Sequence, residues 1–217
     1  RGGNSTSEDS FTQNLDLRLN GHFDTGAVAH RVVVGLDARR YGVESETGFR
    51  YADPISYSDP SYDGANLSDA WYVSADDLTL EQIGLYAQDE MSFGNWRASL
   101  ALRHDWTSQT GSTYTNFAGT SPVDQDDEAT TGRAGISYVF DNGLAPYLSY
   151  ATSFDPEIGT DNSGSAFEPT RGRQWEAGVK YQPLGFDGFF SAAVYNLRQE
   201  NVLSAYTDAN GIGGPSV

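Results

Sequence analysis

The sequence predicts an all-β fold: a section of an antiparallel transmembrane β-barrel, with short periplasmic turns and long extracellular loops. Three observations carry this. Apolar and polar residues alternate over stretches of ~10–16 residues, longer than the ~5–6 usual in soluble sheets and enough for the ~9–11 that cross a bilayer at a tilt. The joins between these stretches alternate between short and long, as in outer-membrane barrels. No apolar run approaches the ~20 residues a membrane helix needs, and the mean hydropathy is −0.51, which suits strands with one lipid face and one wet face.

Eight strands are expected, at 12–23, 28–42, 78–93, 96–107, 131–140, 144–154, 172–182 and 188–199. Asp24-Thr25-Gly26 joins the first pair, Gly94-Asn95 the third and fourth, and Asp141-Asn142-Gly143 the fifth and sixth. The last pair is joined by PLGFDG at 183–188. Asn142-Gly143 reads as a type I′ turn, since both residues tolerate positive φ. The remaining joins, 43–77, 108–130 and 155–171, read as long loops, as do the ends RGGNSTSEDS and GIGGPSV. The chain is therefore expected to be part of a longer protein.

The dyad repeat assigns faces. In 96–107, Trp96, Ala98, Leu100, Leu102 and Trp106 share one face, while Arg97, Ser99, Arg103 and Asp105 share the other. Two tryptophans at opposite ends of one apolar face fit the aromatic girdles of a membrane barrel; core tryptophans of a soluble sandwich are the alternative. Ala134, Ile136, Tyr138 and Phe140 are expected to face lipid, and Arg133 and Ser137 a wet lumen. In 78–93 the apolar face is interrupted by Asp89. Lipid cannot satisfy stray backbone groups, so such a sheet must close on itself.

Formal net charge is −17, which argues against a nucleic-acid partner, whose phosphates demand Lys and Arg. The acids gather in the expected loops. Cysteine is absent, which removes thiolate metal sites and thiol nucleophiles. No catalytic or metal-binding motif is found. His104 and Asp105 are adjacent in a strand and so point to opposite faces; His22 and His30 read as plain surface residues near a periplasmic turn. An enzyme is not expected, nor a cofactor or protein metal ligand. The join at 43–77 is rich in aromatics, which offer rigid contact area to a ligand; packing among the loops themselves is the competing reading.

Three blocks, QIGLYAQDEMSFGNWRASLALRHDW (82–106), GRAGISYVFDNGLAPYLSYATSFDPEIG (132–159) and AFEPTRGRQWEAGVKYQP (166–183), with SAAVYNLRQENVL (191–203) following in register, resemble the barrel of TonB-dependent ferric siderophore receptors, nearest the ferrichrome-iron receptor group. The resemblance implies that residues 1–217 are a partial receptor barrel domain, about eight strands of a 22-stranded barrel, without the plug domain and the C-terminal strands. It implies a bacterial outer-membrane receptor and transporter for a ferric siderophore, of hydroxamate type, surrounded by outer-membrane lipid. Energy would come through the TonB complex, contacted by the missing N-terminal region. By location and type, Phe49, Tyr51, Tyr57, Trp71 and Tyr72 are the candidate ligand-binding residues. The siderophore fills the iron's coordination sphere, so metal contact would be indirect. A TonB-dependent receptor for haem, cobalamin or an oligosaccharide, a general porin, and a soluble β-sandwich remain alternatives.

Overall fold

The computed structural model describes residues 2–51, 58, 72–161, 165–207 and 213–216. Eight strands form one antiparallel sheet in chain order, each paired to the next. They are β1 (Gly2–Thr25), β2 (Val28–Tyr51), β3 (Tyr72–Phe93), β4 (Trp96–Thr115), β5 (Gly119–Tyr138), β6 (Leu144–Asp155), β7 (Thr170–Tyr181) and β8 (Phe190–Glu200). A separate hairpin follows, β9 (Ser204–Thr207) with β10 (Gly213–Ser216). All eight expected strands are present, but the first five are longer than the apolar pattern indicated. The N-terminal stretch expected as loop is strand from Gly2 onward.

The largest correction is the join at 108–130. It is not a long loop: β4 runs to Thr115, β5 begins at Gly119, and the two remain paired up to Thr115↔Gly119. The alternation of short and long joins therefore fails here. Likewise 43–51 and 72–77 are strand, paired through Phe49↔Tyr72. These extensions are rich in Thr, Ser, Asp and Glu. Above a bilayer both faces of a strand meet water, so the apolar alternation that marks a strand is lost while the backbone ladder continues.

The turns at the other end follow glycine placement. Gly26 (φ 63°) and Gly94 (φ 53°) each hold the first central position of a two-residue turn, the type II′ pattern that matches strand twist. At 140–143 the expected type I′ turn does not form. Positive φ falls on Gly143 (87°) and not on Asn142; Gly143 N donates to Phe140 O at 2.9 Å, and Leu144 N donates to Asn142 Oδ1 at 3.1 Å. This is a type I turn closed by a left-handed glycine, the longer hairpin solution.

Exposure reverses the usual protein pattern. Leu100, Leu102, Trp96 and Trp106 are exposed, whereas Asp105, Thr107 and Gln109 on the opposite face of β4 are 2–6% exposed. Register carries this split across the sheet: Leu17, Leu36, Leu85 and His104 share the outer face, and Asp16, Asp37, Gly84 and Asp105 the inner one. Ile136 and Phe140 are exposed as expected for the lipid side. Trp96 packs edge-on against Tyr138 at 4.9 Å, which in turn meets Phe140 at 4.7 Å, a periplasmic aromatic row. An apolar outside with a polar inside is what a lipid-embedded barrel wall needs.

Candidate functional site: the lumenal wall and mouth

The inner face of β1–β4 carries a polar belt that depends on two glycines. Arg103 donates to both oxygens of Asp105 at 2.8–2.9 Å through Nε, and its two terminal nitrogens engage both oxygens of Asp37 on β2. Gln82 Nε2 donates to Asp105 Oδ1 at 2.8 Å. The guanidinium lies across Gly84, where a Cβ would fall 2.1 Å from Nη2. Tyr86 lies in the same manner across Gly35, where a Cβ would fall 2.3 Å from the ring, and its hydroxyl donates to Asp16 Oδ1 at 3.0 Å. Two long side chains thus lie flat along the wall instead of projecting into the lumen. The fork-to-carboxylate geometry is the strong form of this interaction.

Below the belt, toward the periplasmic turns, the inner wall holds a concavity of about 750 Å³ lined by Arg31, Arg97, Arg133, Glu176 and Lys180 among others. Arg133 and Ser137 border it, in line with their expected lumenal placement. Tyr147 donates to Glu176 Oε1 at 2.6 Å, and Gln174 to Glu176 Oε2 at 3.0 Å.

Above the belt the wall turns apolar, with Leu78, Leu80 and Val123 buried. The β6–β7 connection folds over this patch. Gln109 Nε2 donates to Gly159 O at 3.3 Å and Gln125 Nε2 to Phe167 O at 3.0 Å, and Phe167 is 5% exposed. The far end of the connection is pinned by Asn201, whose Nδ2 donates to Glu168 Oε2 and Pro169 O at 3.1 and 3.2 Å. This segment lines the barrel mouth from inside. Higher still, burial pushes the Asp76 carboxyl above its ordinary pKa, partly opposed by a hydrogen bond from Ser45.

Of the five candidate ligand aromatics, Phe49 is half-buried in β2, and its odd position places it in the inner-face register with Asp37 and Tyr41. Tyr51 ends β2 and Tyr72 begins β3, with the backbone alone described. Tyr57 and Trp71 lie outside the described residues. The structure thus places Phe49, Tyr51 and Tyr72 on strand ends at the mouth rather than within a loop.

The belt was missed in the sequence. Its only trace there is Arg103 and Asp105 two apart on one strand face; Asp37 joins only through register. His30 is also corrected: it is not a plain surface residue. Its Nδ1 lies 2.7 Å from Asp89 Oδ2 and its ring stacks on Phe23 at 4.8 Å. That pairing accounts for Asp89 on an otherwise apolar face, since a carboxylate there is costly unless partnered. His104 and Asp105 do point to opposite faces: His104 meets Thr130 at 2.7 Å and the Trp106 ring at 4.3 Å on the outside. Among the described residues, no group of three or more His, Asp or Glu side chains could hold a metal ion.

Comparison with known proteins agrees with this architecture. Residues 1–216 match the family described as TonB dependent receptor-like, beta-barrel. The chain is 39% identical over 204 residues to the ferrioxamine B receptor of Salmonella typhimurium, covering 94% of this chain and 28% of that protein. It is 32% identical over 211 residues to the ferrichrome outer membrane transporter/phage receptor of Escherichia coli, covering 91% and 27%. The chain thus spans somewhat over a quarter of the length of these relatives. Among solved structures, the ferric yersiniabactin uptake receptor FyuA of Yersinia pestis shares the fold with a TM-score of 0.73 at 14% identity, over 92% of this chain and 30% of that one. The siderophore receptor PiuA of Acinetobacter baumannii does so with a TM-score of 0.67 at 24% identity, over 88% and 32%. An eight-stranded wall, apolar outside and polar inside, that matches this family along nearly its whole length belongs to the TonB-dependent receptor β-barrel family of the outer membrane.

Proposed function

We propose that the chain is the wall section of an outer-membrane receptor that takes up a ferric siderophore of hydroxamate type, energised through TonB. The observation that carries this reading is the 39% identity, over 94% of the chain, to a ferrioxamine B receptor; the relation to a ferrichrome transporter supports the same ligand class. In this reading residues 1–217 form part of one barrel domain, and the plug and remaining strands lie elsewhere in the full-length protein. The protein acts as a transporter and not as an enzyme, and its lumenal side chains bind or guide and do not react.

The ligand enters at the mouth, the end of the wall where β2 and β3 finish their pairing at Phe49↔Tyr72 and where the connection after β6 reaches Gln109 and Gln125 on the lumenal side. Phe49, Tyr51, Tyr57, Trp71 and Tyr72 supply aromatic area there. A ferric hydroxamate complex is compact and presents apolar as well as polar surface, so such a cage suits it. Combined replacement Tyr51→Ala and Trp71→Ala in the full-length receptor is expected to weaken ligand binding by about tenfold or more, roughly 1.4 kcal/mol, without changing heat resistance of the barrel. Unchanged affinity, measured by fluorescence titration, removes these two aromatics from the site.

The function itself is tested by uptake. Cells lacking their own hydroxamate receptors, and expressing the full-length protein, are given radiolabelled ferric ferrioxamine B. Accumulation that disappears when TonB is deleted is the expected result. Accumulation that persists without TonB would point to a passive pore.

A further inference from the structure

Arg39 has no acid of its own, in a chain with 30 acidic residues and 13 basic ones. It lies two residues past Asp37 on the inner face of β2, one row nearer the mouth than the belt. Its register neighbours are neutral, Asn14 on β1 and Gln82 on β3. Asp37 is already taken, because Arg103 engages both of its oxygens. The Arg39 guanidinium turns toward the mouth instead and lies over the Tyr41 ring at 5.8 Å. Arg39 is exposed and Tyr41 half-buried, and among the described residues no carboxylate pairs with Arg39. Among the described inner-face residues above the belt it is also the only cation, whereas Asp76 and Asp127 are both inward in register there.

The position borders an open lane. One row higher, the connection after β6 covers the wall at Gln109 and Gln125. Tyr41 shares that row through Leu80, yet Thr12, Asn14 and Arg39 on the β1–β2 side stay exposed. The belt does not obstruct the lane, since Arg103 and Tyr86 lie flat across Gly84 and Gly35. Below it comes the concavity of about 750 Å³ lined by Arg31, Arg97, Arg133 and Lys180. Among the described residues, Arg39 is therefore the first cation between the acid-bearing mouth and the basic lower wall.

We propose that Arg39, braced by Tyr41, is a transit contact for the ferric complex: a second station below the rim aromatics, on the β1–β2 side of the lumen. Phe49 lies ten residues further along β2, about 33 Å at the usual strand rise, so a compact complex does not touch both. Hydroxamate oxygens neutralise the ferric ion and still carry outward lone pairs. A guanidinium donates to them through fixed N–H groups without competing for the metal, and charge assistance strengthens such bonds. Attraction to the Tyr41 ring holds the guanidinium toward the mouth. The inference rests on the siderophore reading and adds to it a step after capture.

The test separates binding from transport in the full-length receptor. Arg39→Ala is expected to leave the equilibrium affinity for ferric ferrioxamine B within about twofold of the parent's. It is expected to lower TonB-dependent uptake at saturating ligand by at least about tenfold, the effect of losing a charged hydrogen bond on the path. Arg39→Lys keeps the charge without the fork and is expected to transport at a rate between the two. Uptake equal to the parent's, or affinity lost in step with uptake, overturns the station and leaves the siderophore reading standing. A parent that takes up no ferric hydroxamate overturns that reading and the station with it. If the alanine variant does not assemble, Arg39→Lys decides alone, and a rate equal to the parent's overturns the proposal.

Discussion

Arg103→Ala in the full-length receptor is expected to lower the unfolding free energy of the barrel by about 1–3 kcal/mol, the cost of leaving a buried acceptor without its partner, since Arg103 and Asp37 are half-buried and Asp105 is buried. Arg103 neutralises two carboxylates at once, Asp37 on β2 and Asp105 on its own strand. Asp105 is 2% exposed and has only Gln82 left to donate to it when the guanidinium is gone. Asp37 loses its bidentate partner, and two like charges then face each other across the inner wall. Urea unfolding from detergent, followed by tryptophan fluorescence, measures the loss. Adding Asp37→Asn and Asp105→Asn to Arg103→Ala should recover part of it, because uncompensated charge and not lost packing is the main cost. A variant as stable as the parent would mean that the belt is an exposed decoration of the lumen and not a structural tie between β2, β3 and β4.

Leu102→Arg is expected to cost about 2–4 kcal/mol and to reduce assembly in the membrane, as charge near the bilayer midplane does in such barrels. Leu102 lies between Trp96 and Trp106 on the outer face, more than half exposed, with Ala87 and Gly132 as its register neighbours. Nothing at those positions can pair with an arginine. Leu100 would be a weaker test, because Asp89 lies directly opposite it and could receive the new charge. The fraction of heat-resistant folded barrel in outer-membrane extracts reports the effect. Normal assembly would mean that the outer face meets protein or water rather than lipid.

The sequence revealed the strands where lipid imposes a rule and lost them where it does not. Leu100, Leu102 and the two tryptophans of β4 alternate with polar residues because one side must be apolar, so 96–107 was legible. The continuation to Thr115 was not, since Ser108 through Thr115 meet water on the outside and mixed surroundings within. The turn at 140–143 was legible in place and not in type: Asn142 and Gly143 admit two hairpin geometries, and only the strand ends decide between them. For the site, the aromatics around 43–77 were legible as residue types. Their location on strand ends, as for Phe49, follows from how far β2 and β3 remain paired. Arg103 with Asp37, and His30 with Asp89, join residues 66 and 59 positions apart. Such pairs exist only after register is set, and register is fixed by the whole sheet rather than by any local signal.

The central claim is that this wall belongs to a receptor selective for a ferric hydroxamate. Equilibrium binding to the full-length protein in detergent tests it most directly, with intrinsic tryptophan fluorescence as readout and ferric ferrioxamine B, ferrichrome, a ferric catecholate, haem and cobalamin as ligands. Tight binding of ferrioxamine B or ferrichrome, with the other three at least about a hundredfold weaker, roughly 2.7 kcal/mol, is the predicted result. Preference for the catecholate, haem or cobalamin would keep the barrel and contradict the hydroxamate assignment.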